Sequence, residues 1–167
     1  FLRGERLTLR TIESADHDFV HRHWNDPAVR YYAEQPAPLS KEDVPEFVDP
    51  DRGVHFLVCH DEEPVGCVIL IDIFEAAGNG ELGYWIAPEH QGHGYATEAA
   101  DLCLEHASTT GDSEVIARAF GENDASHRVL EKLGFQQEGR LRDQHYINGE
   151  RKDMCLFGLR RPEWERR

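Results

Sequence analysis

Residues Gln91-Gly92-His93-Gly94-Tyr95-Ala96 join two stretches of different character. Before them, Glu81-Leu82-Gly83-Tyr84-Trp85-Ile86-Ala87 reads as a strand; after them, an alanine-rich segment reads as a helix. Glycine is costly inside a helix, so a pair of glycines at a helix start calls for a reason in the backbone. Glycine admits positive φ and lets a ligand approach the main chain closely. The first turn of a helix adds unpaired N–H groups at the positive end of its dipole. A strand feeding a Gly-x-Gly loop at a helix start is therefore a candidate phosphate cradle, with an ordinary tight turn as the plain alternative. A P-loop would need Gly-Lys-Ser/Thr, which is absent, and a dinucleotide fingerprint would need glycine where Thr97 stands.

Other residues that could carry chemistry are more scattered. His17 and His21 lie four apart, on one face of a helix, but spacing supplies no third ligand and no metal site is expected. His93 and His145 are single histidines with the pKa range of a base, though such residues more often serve structure. Arg128 and Lys132 share a helix face, next to Glu131. Cys59, Cys67, Cys103 and Cys155 sit among apolar neighbours without zinc-ligand or Cys-x-x-Cys spacing, as buried thiols in a reducing compartment do.

The elements that must position these residues follow from periodicity and breakers. Arg6–Arg10 alternates around Leu7 and Leu9 as a strand, and Asp16–Trp24 has helical spacing. Pro27, Pro36, Pro38, Pro45 and Pro50 break the next region into short helices and loops of the kind that wall a binding site. Val54–Cys59 and Val65–Phe74 read as strands around an acidic turn, Asp61-Glu62-Glu63-Pro64. Gly78-Asn79-Gly80 turns into the strand Glu81–Ile86. The helix after the loop runs from Gly92 to Ser108, followed by a strand, Ser113–Phe120, and a helix, Asn123–Leu133, closed by Gly134. Phe135–Tyr146 and Arg151–Leu159 form a hairpin around Asn148-Gly149. This order predicts a mixed α/β (α+β) fold, a sheet with helices packed on it.

A chain of 167 residues with 40% hydrophobic content suits a single domain over 1–167 with a real core. Its net charge of −14 argues against binding to nucleic-acid backbone, and is read as solubility or adaptation to a salty cytoplasm rather than as steering. No apolar run is long enough to span a membrane, and no basic segment leads into an apolar one, so neither a membrane partner nor a signal peptide is expected. The chain opens on Phe1 rather than Met, so an initiator or short leader is expected before it. The expected location is cytoplasmic.

Gln91, Gly94 and Ala96 satisfy the pattern Q/R-x-x-G-x-G/A, which resembles the pyrophosphate-binding loop of the GNAT superfamily of N-acetyltransferases. The resemblance extends to His90–Ala99, to Asn123–Phe135, to Glu138–Arg142 and to Gly149–Asp153, and it covers about Arg6 to Trp164. The branch most resembled is that of the ribosomal-protein N-terminal acetyltransferases (RimJ/RimL-like).

The resemblance implies an acyl-CoA N-acyltransferase fold: a mixed, mostly antiparallel sheet of about seven strands, splayed at the strand before the loop, with helices on both faces. It implies acetyl-CoA as acetyl donor. Trp85, Ile86 and Ala87 would line the splay for the pantetheine arm, Gln91, Gly92, His93, Gly94, Tyr95 and Ala96 would wrap the pyrophosphate, Thr97 would add a hydroxyl, and Asn123 would cap its helix and touch pantetheine. Glu81 is the implied base and Ser126 the group at the leaving thiol, since the tyrosine common in the family seven residues after Asn123 is here Leu130. The implied acceptor is a protein N-terminal α-amine; a small-molecule amine (antibiotic, polyamine or amino acid), a non-catalytic acyl-CoA sensor and a different donor such as succinyl-CoA are the alternatives. The resemblance also leaves room for a homodimer.

Overall fold

The computed structural model describes residues 1–35, 37–74, 78–110 and 114–165. Pro36 and Ser113, named above, lie outside the described residues. Among the described residues, eight strands form one sheet: β1 Leu2–Arg3, β2 Leu7–Thr11, β3 Val54–His60, β4 Glu63–Phe74, β5 Asn79–Ile86, β6 Glu114–Phe120, β7 Gln136–Ile147 and β8 Glu150–Arg160. Their order is β1-β2-β3-β4-β5-β6-β8-β7. Every neighbouring pair is antiparallel except β5 and β6, which run parallel. The sheet is thus mixed and mostly antiparallel, as expected; the short edge strand β1 is an addition that its two residues gave no pattern to announce.

Alternation along the strands assigns the two faces. Leu82 and Ile86 of β5, with Val115, Ala117 and Ala119 of β6, enter a large core beneath the helices α4 (Tyr95–Thr110) and α5 (Asp124–Lys132). Ala99, Ala100 and Ala107 of α4 are fully buried there, and their small side chains let the helix lie close to the sheet. The short helix α6 (Arg161–Trp164) adds Trp164 to the same core. On the opposite face, α1 (His17–Trp24), α2 (Pro27–Tyr32) and α3 (Val44–Phe47) cover a second core that holds Val20, Trp24, Val29, Val44, Leu57 and Trp85.

Three boundaries differ from the sequence reading for physical reasons. Asn79 and Gly80, expected in a turn, already open β5, because their backbones pair with β4 on one side and with β6 on the other. The acidic turn is only Asp61-Glu62, both with positive φ (48° and 70°), which is the backbone of a two-residue type I′ hairpin. Glu63 and Pro64 belong to β4, where Pro64 lies opposite Cys59 at a register shift, a place where a strand tolerates proline. The helix after the loop starts at Tyr95, not Gly92, because Gly92 and Gly94 adopt φ of 82° and 79°, outside the helical range.

The feature that shapes the site is the junction of β5 and β6. These strands pair only at Asn79↔Glu114, Gly80↔Val115 and Glu81↔Ile116. Beyond Glu81, β5 stays paired with β4 on one side as far as Ile86, while its other edge has left β6. An opening therefore begins between the strands just past Glu81, with strand-edge backbone groups on the β5 wall.

Candidate active site

Glu81 stands at the throat of the opening. Its Oε1 accepts from Arg118 Nε at 2.8 Å, so β5 and β6 are bridged there on the face covered by α1–α3. The Glu81 side chain is 19% exposed and that of Arg118 43%. Burial works against the Arg118 charge, but the hydrogen bond and the attraction of Glu81 outweigh it and raise the guanidinium pKa. Near this bridge lie Phe120 and His145, whose rings meet edge to face at 5.7 Å, and Tyr31 of α2, 5.8 Å from Phe120. His145 Nε2 pairs with Glu34 at 2.9 Å, and Glu34 sits just after α2 with a φ of 61°, unusual for a residue other than glycine. Glu122 holds Lys152 Nζ at 3.0 Å and accepts from the Tyr31 hydroxyl.

On the opposite face a second bridge crosses the same opening. Tyr84 projects from β5 toward the α4–α5 layer and places its hydroxyl 2.7 Å from Ser126 Oγ, in the first turn of α5. Burial pushes the Tyr84 phenol up to about 12, although the hydrogen bond to Ser126 pulls the other way. Asn123 caps α5 as expected, its Oδ1 accepting from Ser126 N at 3.2 Å. Leu130 is 1% exposed and packs in the main core.

The loop has a backbone suited to an anion. Gly92 and Gly94 are left-handed with His93 between them, and α4 begins at Tyr95, so the loop opens onto a helix N-terminus. Neither glycine is forced by crowding: a Cβ at Gly92 meets nothing within 4 Å, and one at Gly94 meets only Arg6 Nη2 at 3.5 Å. The requirement lies in φ. Arg6 holds the loop from just before β2, with Nη1 donating to the His93 carbonyl at 2.8 Å and the guanidinium 5.4 Å from the Tyr95 ring centre. Glu98 in turn accepts from the backbone N–H groups of Arg6 and Leu7 and from Arg6 Nε.

The other residues expected around the cofactor are mostly engaged in packing and in hydrogen bonds that shape the loop. Gln91 Nε2 donates to the Ile86 carbonyl at 2.9 Å and ties the loop to the end of β5. Ala87 gives its N–H to Val65 and its carbonyl to His90 N, both at 2.8 Å. The Trp85 ring turns away from the opening into the second core, near Phe19 and Trp24, and Ile86 is buried in the main core. Tyr95 is 9% exposed, with His60 and His93 against its ring, so this side chain is packed and the loop presents main chain rather than the phenol. The Ala96 side chain packs against the main core, and Thr97, in the first turn of α4, is partly buried. His93 Nδ1 lies 3.1 Å from the His90 carbonyl, within the loop and apart from the Glu81 bridge. Among the described residues, no group of three or more metal-ligating side chains comes together.

The cradle, the opening and the capped α5 together fit a long thiol carrier with a pyrophosphate at one end. Residues 6–136 match the model of the acetyltransferase (GNAT) domain family. The chain belongs to that family. GNAT relatives include the spermidine N(1)-acetyltransferase of Escherichia coli K12, 33% identical over 90% of this chain and 86% of the relative. The "Putative ribosomal N-acetyltransferase YdaF" of Bacillus subtilis is 28% identical over 97% and 95%. Among solved GNAT structures, the spermidine N-acetyltransferase of Vibrio cholerae in complex with CoA and spermine superposes with a TM-score of 0.90 at 25% identity, covering 97% of this chain and 99% of that one. This GNAT chain is accordingly an acetyl-CoA-dependent N-acetyltransferase.

Tyr84, Arg6, Glu98 and Arg118 are the site residues that sequence reasoning missed. Tyr84 and Arg118 carried a signal of their own: each is a polar residue in an otherwise apolar strand segment. Arg6 and Glu98 had none, because their contact joins segments 92 residues apart.

Proposed function

We propose that the chain transfers acetyl directly to a protein or peptide N-terminal α-amine, with Glu81 as base and Ser126 at the leaving thiol. Acetyl-CoA supplies the acetyl group as an activated thioester. The observation that carries the reading is the pair of bridges: Glu81–Arg118 crosses one face of the opening and Tyr84–Ser126 the other. A proton acceptor and a hydroxyl donor thus flank a single gap from opposite sides. Gly92, Gly94 and the start of α4 hold the diphosphate, and the free edge of β5 holds the amide-rich arm. The walls bring the two reactants together and remove the entropic cost of encounter. Arg118 leaves the second carboxylate oxygen of Glu81 to take the acceptor's proton, directly or through water. Because its charge is already matched by Glu81, Arg118 does not recommend an acidic acyl donor.

The acceptor assignment rests on charge. Glu34, Glu81 and Glu122 each hold a basic side chain, namely His145, Arg118 and Lys152. An acceptor with one ammonium group need displace only one of these partners. An α-amine, with a pKa of about 7.7–8.0, also yields its proton near neutrality more readily than a lysine-like ammonium of about 10.4. The second reading, a polyamine acceptor, is favoured by the identity to spermidine acetyltransferases and by three carboxylates beside one opening. Thiol release at pH 7.5 would be compared for short peptides with free N-termini, the same peptides N-terminally blocked but carrying lysine, and spermidine. The α-amine reading expects the free N-terminus to lead in kcat/KM; a lead for spermidine would transfer the assignment to the second reading.

A further inference from the structure

We propose that Tyr84 is the positioning residue for the leaving sulfur: its phenol donates to Ser126 Oγ and turns the serine hydrogen into the opening between β5 and β6. The inference rests on the reading of Ser126 as the thiol-facing group and adds the partner that aims it. The Tyr84 oxygen lies 2.7 Å from Ser126 Oγ and 3.4 Å from the Ser126 carbonyl. That carbonyl belongs to the helix ladder of α5, so the hydroxyl is both the nearer and the less committed acceptor. With the phenol as donor, the serine keeps its own hydrogen for another partner. A hydroxyl that accepts one hydrogen bond also becomes a stronger donor of the next. Burial keeps the phenol protonated throughout the physiological range, so the donor role does not lapse with pH.

The placement explains how this chain works with Leu130 where a tyrosine is common in the family. Leu130 is buried in the main core, so α5 presents no phenol at that position. The phenol arrives instead from the opposite wall, three residues beyond the last β5–β6 pair at Glu81. It reaches Ser126 rather than the reacting atoms, so its effect is to orient and polarise.

The test uses the full chain and the variants Tyr84→Phe, Ser126→Ala and the double variant. Calorimetric affinities for CoA and for desulfo-CoA isolate the contact to sulfur without turnover. The wild type should prefer CoA by about fivefold, the worth of one hydrogen bond, and each single variant should lose that preference. In turnover, Tyr84→Phe should lower kcat by about tenfold with KM for acetyl-CoA little changed, and should add nothing in the Ser126→Ala background. Loss of the CoA preference in Ser126→Ala but not in Tyr84→Phe would overturn the role of Tyr84 and leave Ser126 standing. Unchanged preference and kcat in Ser126→Ala would overturn the Ser126 reading itself. Additive losses in the double variant would reduce Tyr84 to an independent packing contact.

Discussion

Replacing Gly92 or Gly94 by alanine probes the cradle with a perturbation whose size can be worked out beforehand. The φ values are 82° and 79°, and a new Cβ meets open space at Gly92 and an ordinary 3.5 Å contact at Gly94. Steric collision is therefore not the issue, and the cost is that of holding an L-residue in the left-handed region, about 1–2 kcal/mol. That energy has two outlets. If the loop keeps its shape, the fold bears the strain and the melting temperature falls by roughly 2–8 °C, at about 2–4 °C per kcal/mol for a chain of this size. If the loop relaxes, the melting temperature holds and the main-chain N–H groups lose their aim, so KM for acetyl-CoA rises by about 5–30-fold. The assay is a thermal melt paired with thiol-release kinetics on each variant. The two readouts share one free energy, so a small change in one requires a large change in the other. Alanine variants that melt and bind acetyl-CoA like the wild type would refute the claim that left-handed backbone at these positions builds the cradle.

Two further perturbations act on buried or partly buried titratable residues of the fold. Burial alone would raise the Glu98 carboxyl, but the N–H groups of Arg6 and Leu7 and the Arg6 side chain hold it below its ordinary 4.5. Its stabilising share is thus present above pH 4.5 and is lost as pH falls through the lower folded value, so Glu98→Gln should lower stability by about 1.5–3 kcal/mol at pH 7 and remove that part of the acid transition, read by melts from pH 7 to 3. Burial pushes His55 down from 6.5 to about 4, so the unfolded chain takes that proton first; stability complete above pH 6.5 drains between 6.5 and 4, by at most about 3 kcal/mol, and His55→Gln should flatten the melting temperature over that window.

What could be read from the sequence was whatever local chemistry decides. The Asn148-Gly149 hairpin has φ of 51° and 82°, as its residue types require. Asn123 announces α5 because a side-chain oxygen must take one of the first free N–H groups. The pair Gly92 and Gly94 marks the left-handed loop before α4 because only glycine enters that region cheaply. What escaped was decided by contacts distant in sequence. Nothing near Asp61 and Glu62 signals positive φ; the pairing of Val54–His60 with Glu63–Leu70 imposes it. Residues 85–87 read as a wall for the pantetheine arm through their backbone, but nothing local told where the aromatic side chain at 85 goes; strand alternation turns it toward Phe19 and Trp24. Tyr84, one residue earlier, turns the other way and meets Ser126, 42 positions along the chain.

The most direct test of the account is the turnover number of Glu81→Gln in thiol release from acetyl-CoA with an excess of the preferred amine, set against its calorimetric affinity for CoA. Glutamine keeps the size of the side chain but takes no proton at neutral pH. Loss of a general base lowers kcat by about 10²–10⁴-fold, and the cradle on the other side of the opening should keep CoA affinity unchanged. A variant that turns over at the wild-type rate would contradict Glu81 as the base.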